Sequence, residues 1–145
     1  MIGLLQRVQN ASVTVEGKVI GSAGKGLMVL VCAEKDDTKE QCEKLAKKVL
    51  AYRIFEDEKG KMNKSLSDIK GDILIVSQFT LAADTAKGLR PSFTPAADPE
   101  TGKKLYEHFV ETVRQSGLRT ETGEFGAYMQ VALVNDGPVT IWLKC

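Results

Sequence analysis

Asp72-Ile73-Leu74-Ile75-Val76-Ser77-Gln78-Phe79 is the stretch that says most about the fold of this chain. Its unbroken apolar run, Ile73–Val76, contains β-branched residues and is typical of a strand that is buried on both faces. We therefore predict a strand over Asp72–Phe79, and Leu27–Cys32 predicts a second strand of the same kind. Strands buried on both faces belong to sheets covered by other layers, so the pair favours a mixed α/β fold.

Helical spacing appears in two segments. Thr38–Arg53 places an apolar stripe opposite its lysines and glutamates, and Thr38 with Gln41 has the pattern of a capping box. Asp98-Pro99 predicts the start of a second helix, with Asp as the N-cap and Pro at the first position, and Gly117 closes it. The apolar stripe of this second helix consists of Leu105, Tyr106, Phe109, Val110 and Val113.

Weaker β patterns surround these elements. The shorter predicted strands are Met1–Gln9, Ala11–Val15, Val19–Ser22 and Arg53–Glu56. Tyr128–Val134 and Val139–Leu143 are β-rich runs, and the turn residues Asn135-Asp136-Gly137-Pro138 between them predict a hairpin. Asp57–Lys64 reads as a polar turn, and Thr80–Ala97 as a long loop of the length that usually carries function. We expect about six or more strands covered by two main helices.

Composition places the chain among ordinary globular proteins. It has 145 residues, of which 43% are hydrophobic and 27% charged, so we expect one domain over residues 1–145. The net charge of +1 excludes a strongly basic nucleic-acid coat protein but leaves room for binding to a nucleic-acid end. The apolar runs are too short to span a bilayer and no signal peptide is apparent. The three cysteines form no close-spaced metal pair, which favours a reducing, cytoplasmic location.

Conventional catalytic sets are mostly absent. His108 is the only histidine, has no partner at metal-ligand spacing, and is interpreted as a partly exposed surface residue. Two segments nevertheless break the structural pattern. In the first, a buried strand ends in the polar side chains of Ser77 and Gln78, which either form a site or only satisfy nearby backbone groups. The second, Asn135–Thr140, is on its residues alone an ordinary hairpin turn.

Considered together, Ser77-Gln78-Phe79-Thr80-Leu81 and Asn135-Asp136-Gly137-Pro138-Val139-Thr140 resemble the signature segments of the D-aminoacyl-tRNA deacylases. The resemblance covers the whole chain, and neither signature segment departs from the family pattern. Further matching segments are Gln6-Arg7-Val8, Ala11-Ser12-Val13, Tyr52-Arg53-Ile54-Phe55, Gly60-Lys61-Met62-Asn63 and Arg90-Pro91-Ser92-Phe93.

The resemblance implies a cytoplasmic homodimer that needs no metal or other cofactor. Such an enzyme hydrolyses the ester between a D-amino acid and the 3′-terminal adenosine of tRNA, and it also removes glycine. The implied fold is a layered β/β/α sandwich with curved, partly barrel-like mixed sheets. The implied catalytic residues are Ser77, Gln78, Phe79 and Thr80 of one chain, which face Gly137 and Pro138 of the other, with Asn135 in the same loop and Arg7 supporting it.

An aminoacyl ester is already activated, so the enzyme has mainly to hold the carbonyl and stabilise the oxyanion. Backbone N–H groups near Phe79 and Thr80 suit this task, and the substrate's own 2′-hydroxyl is placed to activate water. Nothing in the sequence offers Thr80 a base, so we expect it to position or polarise rather than to attack. A cis Gly137–Pro138 peptide would point carbonyls at the α-carbon and exclude an L side chain.

Two other functions compete with this interpretation. A non-catalytic tRNA-end-binding module would keep the contact with the tRNA end but lack turnover. An esterase acting on small molecules would instead use Thr80 covalently, through an acyl-enzyme.

Overall fold

The computed structural model describes the whole chain, residues 1–145. It combines a six-stranded sheet with a two-stranded hairpin, three α-helices and one 3-10 helix. In chain order the elements are β1 (Ile2–Val15), β2 (Lys18–Ala23), β3 (Gly26–Cys32), α1 (Lys39–Ala51), β4 (Phe55–Glu56), β5 (Met62–Lys64), α2 (Leu66–Ile69), β6 (Asp72–Ser77), the 3-10 helix (Phe79–Ala82), α3 (Pro99–Arg114), β7 (Thr120–Thr122) and β8 (Gln130–Lys144).

The long strand β1 organises the sheet. Along one edge its first half pairs with β3 and its second half with β2, both antiparallel. Along the other edge it pairs with β8, also antiparallel, over almost its whole length. From β3 the sheet continues through β6 to β7, and these two pairings are parallel. The sheet is therefore mixed, as the resemblance implies.

The sheet curves until its two ends meet. A Cβ atom built on Gly21 of β2 would lie only 2.4 Å from the backbone oxygen of Thr122 in β7, so the two strands approach closely. This contact nearly closes the sheet into a barrel. The curved, barrel-like architecture that the resemblance implies is confirmed.

Apolar side chains fill both faces of the central strands. One core of 21 buried residues joins the sheet to α1 and α3, and it includes Leu27, Ile73 and Phe109. A second core of seven buried residues lies on the other face, inside the curve of the sheet, and includes Met28 and Leu74. Adjacent residues of β3 and β6 thus point into different cores, which confirms that both strands are buried on both faces.

The helices begin where their caps predict. The backbone N–H of Thr38 donates to Gln41 Oε1 at 2.6 Å, and that of Thr101 donates to Asp98 Oδ1 at 3.0 Å. The predicted stripe of α3 is buried throughout. No helix of the chain is both long enough and apolar enough for a membrane crossing.

The predicted hairpin near the end of the chain is wrong. The run from Gln130 to Lys144 is one strand, and the Asn135–Pro138 turn residues bulge out of it without reversing its direction. Pairing with β1 resumes on each side of the bulge, since Val8 is opposite Asn135 and Gln6 is opposite Thr140. Pairing with a strand far away in the sequence overrides the local turn signal.

Other boundaries also differ from the prediction. The two runs Met1–Gln9 and Ala11–Val15 are a single strand, and the strand predicted over Asp72–Phe79 ends at Ser77. The polar turn at Asp57–Lys64 contains β5, which pairs with β4. No pattern in the sequence predicted α2, because four residues are too few to show a helical period.

Closure of the barrel at Gly21 leads to a stability prediction. Gly21→Ala places a methyl group against the Thr122 oxygen, so we expect the free energy of unfolding to fall by about 1–3 kcal/mol. The matched control is Gly3→Ala on β1, where the new Cβ would only reach Leu45 Cδ1 at an ordinary 3.4 Å. Urea unfolding followed by circular dichroism measures both variants. Equal stability of the two would contradict close contact between β2 and β7.

Candidate active site

The segment Ser77–Thr80 lies at the carboxyl end of the parallel strand pair β3 and β6. Ser77 is opposite Val31, and the backbone N–H of Gln78 donates to Val31 O at 2.8 Å. The chain then turns into the 3-10 helix, which leaves Thr80 exposed and the Phe79 side chain 57% exposed. Carboxyl ends of parallel strands are where open α/β sheets commonly place ligands.

The polar side chains of this segment are not used to satisfy the backbone. The amide of Gln78 donates to Thr80 Oγ1, which ties the two side chains together across the first turn of the 3-10 helix. The backbone N–H groups of Phe79 and Thr80 begin this helix and so have no partner within it. The segment therefore offers free backbone donors beside a fixed hydroxyl.

A cavity of about 580 Å³ opens beside the segment. Ser77, Gln78 and Phe79 form part of its wall, and 15 of its 21 lining residues are hydrophobic. The other side chains that line it include Val31, Cys32, Phe93, Ala96, Tyr106, Phe125, Met129 and Val131. An apolar cavity with a few polar groups at one rim suits a small planar ring system whose polar end lies at that rim.

Cys32 is a thiol that lies against this segment. Its Sγ lies 3.5 Å from the backbone oxygens of Phe79 and Ala33. Burial raises the pKa of the Cys32 thiol to about 11, and the carboxylate of Glu34 adds to this effect. The thiol is thus almost entirely protonated near neutral pH, and since thiolate is the nucleophilic form, Cys32 does not act as a nucleophile there.

Thr80 has no base beside it. Its hydroxyl contacts the Gln78 amide, which is a donor and cannot remove a proton. The single histidine, His108, lies on α3, where its Nε2 is 2.9 Å from Glu43 Oε1 on α1. It is partly exposed, as the sequence predicts, and it belongs to the contact between the two helices.

The second segment is the bulge of β8. The side chain of Asn135 spans it, since Oδ1 accepts from the Val139 N–H at 3.0 Å and Nδ2 donates to Thr140 Oγ1 at 2.9 Å. The Gly137–Pro138 peptide bond is cis, and both residues are exposed. We call Asn135–Pro138 the β8 loop below.

Hydrogen bonds from Arg7 fix the position of the β8 loop. Its side chain is buried, Nε donates to the Asp136 backbone oxygen at 3.1 Å, and Nη1 donates to Ile54 O at 2.7 Å. The Asp136 carboxylate lies 3.5 Å from Nε, which balances the buried charge. A planar guanidinium with several donors can fix two backbone segments at once.

Within one chain the two segments lie apart. They belong to β6 and β8, which are separated in the sheet by β3 and β1, and three steps of about 4.8 Å amount to roughly 14 Å. The strand pairing places Ser77 level with Gly3 of β1, whereas the β8 loop begins level with Val8. The two segments are therefore also offset along the strands by several residues, at about 3.3 Å for each residue. One chain therefore does not bring Ser77–Thr80 and Gly137–Pro138 into one site.

Some site neighbours were not singled out in the sequence. Cys32 and Phe93 both lie against Phe79, yet in the sequence Cys32 is only a residue of a buried strand. Phe93 had a signal, because it belongs to one of the segments that match the family pattern. Only the folded chain brings these two side chains into contact with Phe79.

Comparisons with known proteins find relatives that match this chain over almost its whole length. The family model described as D-Tyr-tRNA(Tyr) deacylase matches residues 4–144. A protein of Cupriavidus necator called D-aminoacyl-tRNA deacylase is 58% identical over 149 residues, covering 99% of this chain and 97% of that protein. One of the same name from Escherichia coli O1:K1 is 56% identical over 144 residues, covering 99% of both.

Solved structures share the fold. The structure titled c-Myc DNA Unwinding Element Binding Protein has a TM-score of 0.94 and 44% identity, and the match covers 100% of this chain and 99% of that one. The structure of a probable eukaryotic D-amino acid tRNA deacylase has a TM-score of 0.86, and the match covers 99% of this chain and 98% of that one. Because the two sequences are only 22% identical, this match supports the fold alone. On the extent of the family match and the identity to its relatives, this chain belongs to the D-Tyr-tRNA(Tyr) deacylase family of enzymes.

Proposed function

We propose that this chain hydrolyses the ester bond that joins a D-amino acid to the 3′-terminal adenosine of tRNA, and that it also releases glycine mischarged on tRNA. The observation that carries the proposal is the Ser77–Thr80 segment, which is exposed at Phe79 and Thr80 and has free backbone donors and an adjoining apolar cavity, in a chain of this family. An activated ester needs a bound carbonyl more than a strong base, and this segment offers the first without the second.

The geometry of the segment supports the following chemistry. The N–H groups of Phe79 and Thr80 bind the carbonyl oxygen and stabilise the negative charge that develops on it. Thr80, held by Gln78, positions the substrate, while the adenosine 2′-hydroxyl next to the ester activates water. The adenine ring enters the apolar cavity, whose volume of about 580 Å³ is ample for it.

Selection between D and L substrates is assigned to the β8 loop of a second chain. An exposed backbone loop rejects a side chain of any size by occupying its space, and it accepts glycine, which has none. Asn135 and Arg7 support this role, since their hydrogen bonds hold the loop from both sides of the bulge. The same rigid loop accepts many different D side chains, because these point away from it.

The shared site requires a homodimer. Two observations support a homodimer. The two segments lie apart within one chain, and β8 is hydrogen-bonded to a neighbouring strand along one edge only. Val134 and Trp142 of β8 are 47% and 53% exposed. A long apolar edge strand is a ready surface for a second chain. We expect sedimentation at assay concentration to give a dimer as the active species. An active monomer would contradict the shared site.

Purified protein with matched D- and L-aminoacyl-tRNA tests the activity directly. We expect rapid release of the D-amino acid and of glycine, and no acceleration of L-aminoacyl-tRNA hydrolysis above the rate without protein. Binding to the tRNA end without turnover would instead identify a non-catalytic module.

The role of Thr80 gives a separate prediction. Thr80→Val removes one polar contact with little change in shape, so we expect kcat/KM to fall by about one to two powers of ten, equivalent to about 1–3 kcal/mol. Thr14→Val on β1 is the matched control and should behave as the parent. Mass spectrometry of the parent during turnover should find no acylated Thr80. Detection of that acyl-enzyme would make Thr80 the nucleophile and refute the positioning role.

A further inference from the structure

A loop outside the two signature segments adjoins the candidate active site. The 83–93 loop, Ala83 to Phe93, follows the 3-10 helix and is pinned at its base by two backbone hydrogen bonds between Asp84 and Ser92, at 2.8 and 3.0 Å. The Asp84 carboxylate accepts from the Ala86 N–H at 2.9 Å, which orders the first turn of the loop. The loop thus projects from the surface as a defined hairpin.

The end of this hairpin carries two unpaired positive charges. Lys87 and Arg90 are exposed and have no acidic side chain within salt-bridge distance. Some other surface cations are neutralised, such as Arg119 by Asp72 at 2.7 Å and Lys144 by Glu34 at 2.7 Å, so what distinguishes Lys87 and Arg90 is their position beside the candidate active site. The single acid of the loop, Asp84, is engaged by the backbone of its own turn.

The base of the loop is fixed to the candidate catalytic segment. The ring of Phe93 packs edge-on against that of Phe79, with the ring centres 5.0 Å apart and an interplanar angle of 71°. Arg90 is three residues from Phe93, so its backbone lies within about 10 Å of that contact. A polyanion whose end is bound at Phe79 therefore has to extend past this loop or close to it.

We propose that the 83–93 loop binds the phosphate backbone of the tRNA acceptor end, with Lys87 and Arg90 each neutralising a phosphate. The proposal rests on the proposed function, because it takes the tRNA terminus to be held at Ser77–Thr80. Each nucleotide of the acceptor strand brings one negative charge, and exposed cations on an ordered loop meet such charges without sequence preference. The loop supplies affinity for the polynucleotide, while the Ser77–Thr80 segment supplies the chemistry.

Salt dependence of binding tests the proposal without relying on turnover. Affinity of uncharged tRNA is measured between about 50 and 200 mM salt for the parent, Lys87→Ala, Arg90→Ala and the double variant. Each lost phosphate contact should lower the slope of log affinity against log salt by about 0.7–0.9. The control, Lys47→Ala, removes an exposed cation from α1 and should keep the parental slope.

Kinetics with two substrates separate this proposal from the proposed function. The ratio of kcat/KM for D-aminoacyl-tRNA to that for 3′-D-aminoacyl-adenosine, which has no phosphate, should fall several-fold in the double variant and stay parental in Lys47→Ala. A parental salt slope in the double variant, or equal losses on both substrates, would overturn the role of the loop and point to an acidic protein partner or to a structural effect. Failure of the parent to hydrolyse either substrate would instead refute the proposed function, and the salt slopes would still decide the role of the loop.

Discussion

Gly137→Ala is expected to lower kcat/KM for D-aminoacyl-tRNA by about a hundredfold or more, which is the effect of displacing a positioning group by about 1 Å. Gly137 has a φ of +131°, in a region that is essentially restricted to glycine. An added Cβ would lie 2.8 Å from Val139 Cγ2, 3.0 Å from the Val139 nitrogen and 3.2 Å from Arg7 Nη2. The loop therefore has to move away from Arg7, and the surface that we propose selects the substrate moves with it.

The matched control for this variant is Gly17→Ala. Gly17 also has a positive φ, of +77°, but a Cβ there would meet nothing within 4 Å. We expect Gly17→Ala to cost about 1–2 kcal/mol of stability through its backbone conformation and to keep parental activity. Gly137 is exposed on the bulge, so the Gly137→Ala protein should fold, which circular dichroism and sedimentation can verify. Parental kcat/KM in folded Gly137→Ala would remove the β8 loop from the site.

A tRNA that ends in 2′-deoxyadenosine, with the D-amino acid on its 3′ oxygen, should be hydrolysed about 10²–10⁴ times more slowly, the usual contribution of a positioned acid or base. The structure offers no side chain to replace the missing hydroxyl. Thr80 contacts only the Gln78 amide, the Cys32 thiol is protonated, and His108 is engaged with Glu43 between the helices. The proposed mechanism therefore takes the catalytic hydroxyl from the substrate.

Two controls complete the deoxy experiment. Binding of the deoxy tRNA should be close to that of the ribo form, so that the loss falls on kcat rather than on KM. His108→Ala should hydrolyse the ribo substrate at the parental rate, because its contact with Glu43 is structural. Unchanged cleavage of the deoxy substrate would mean that a group of the protein performs the proton transfer.

Local patterns predicted those elements whose stabilising contacts are local. The start of α3 follows from the Asp98 cap and from Pro99, and its buried stripe follows from helical spacing, so both were predictable. The buried strands β3 and β6 were likewise predictable, because each carries its own apolar run. The same local logic failed at Asn135–Pro138, where turn residues indicated a reversal that pairing with β1 prevents.

The candidate site was predictable in part for a similar reason. Ser77 and Gln78 were visible as polar residues that end a buried strand, which is a local break in pattern. Three other features depend on how the folded chain packs. They are the hydrogen bond from Gln78 to Thr80, the cavity beside Phe79 and the contact between Phe79 and Phe93. No spacing in the sequence encodes those contacts.

The sequence by itself determined the mixed α/β class, the main helices and buried strands, and the family, since periodicity, caps and signature segments are read within a few neighbouring residues. Only the tertiary structure decided that Arg7 reaches Asp136, 129 residues away, and that Ser77–Thr80 and the β8 loop lie on strands three places apart. The physical reason is that strand register, barrel closure and the burial of a guanidinium arise from contacts between distant segments, which cooperate only once the sheet has formed.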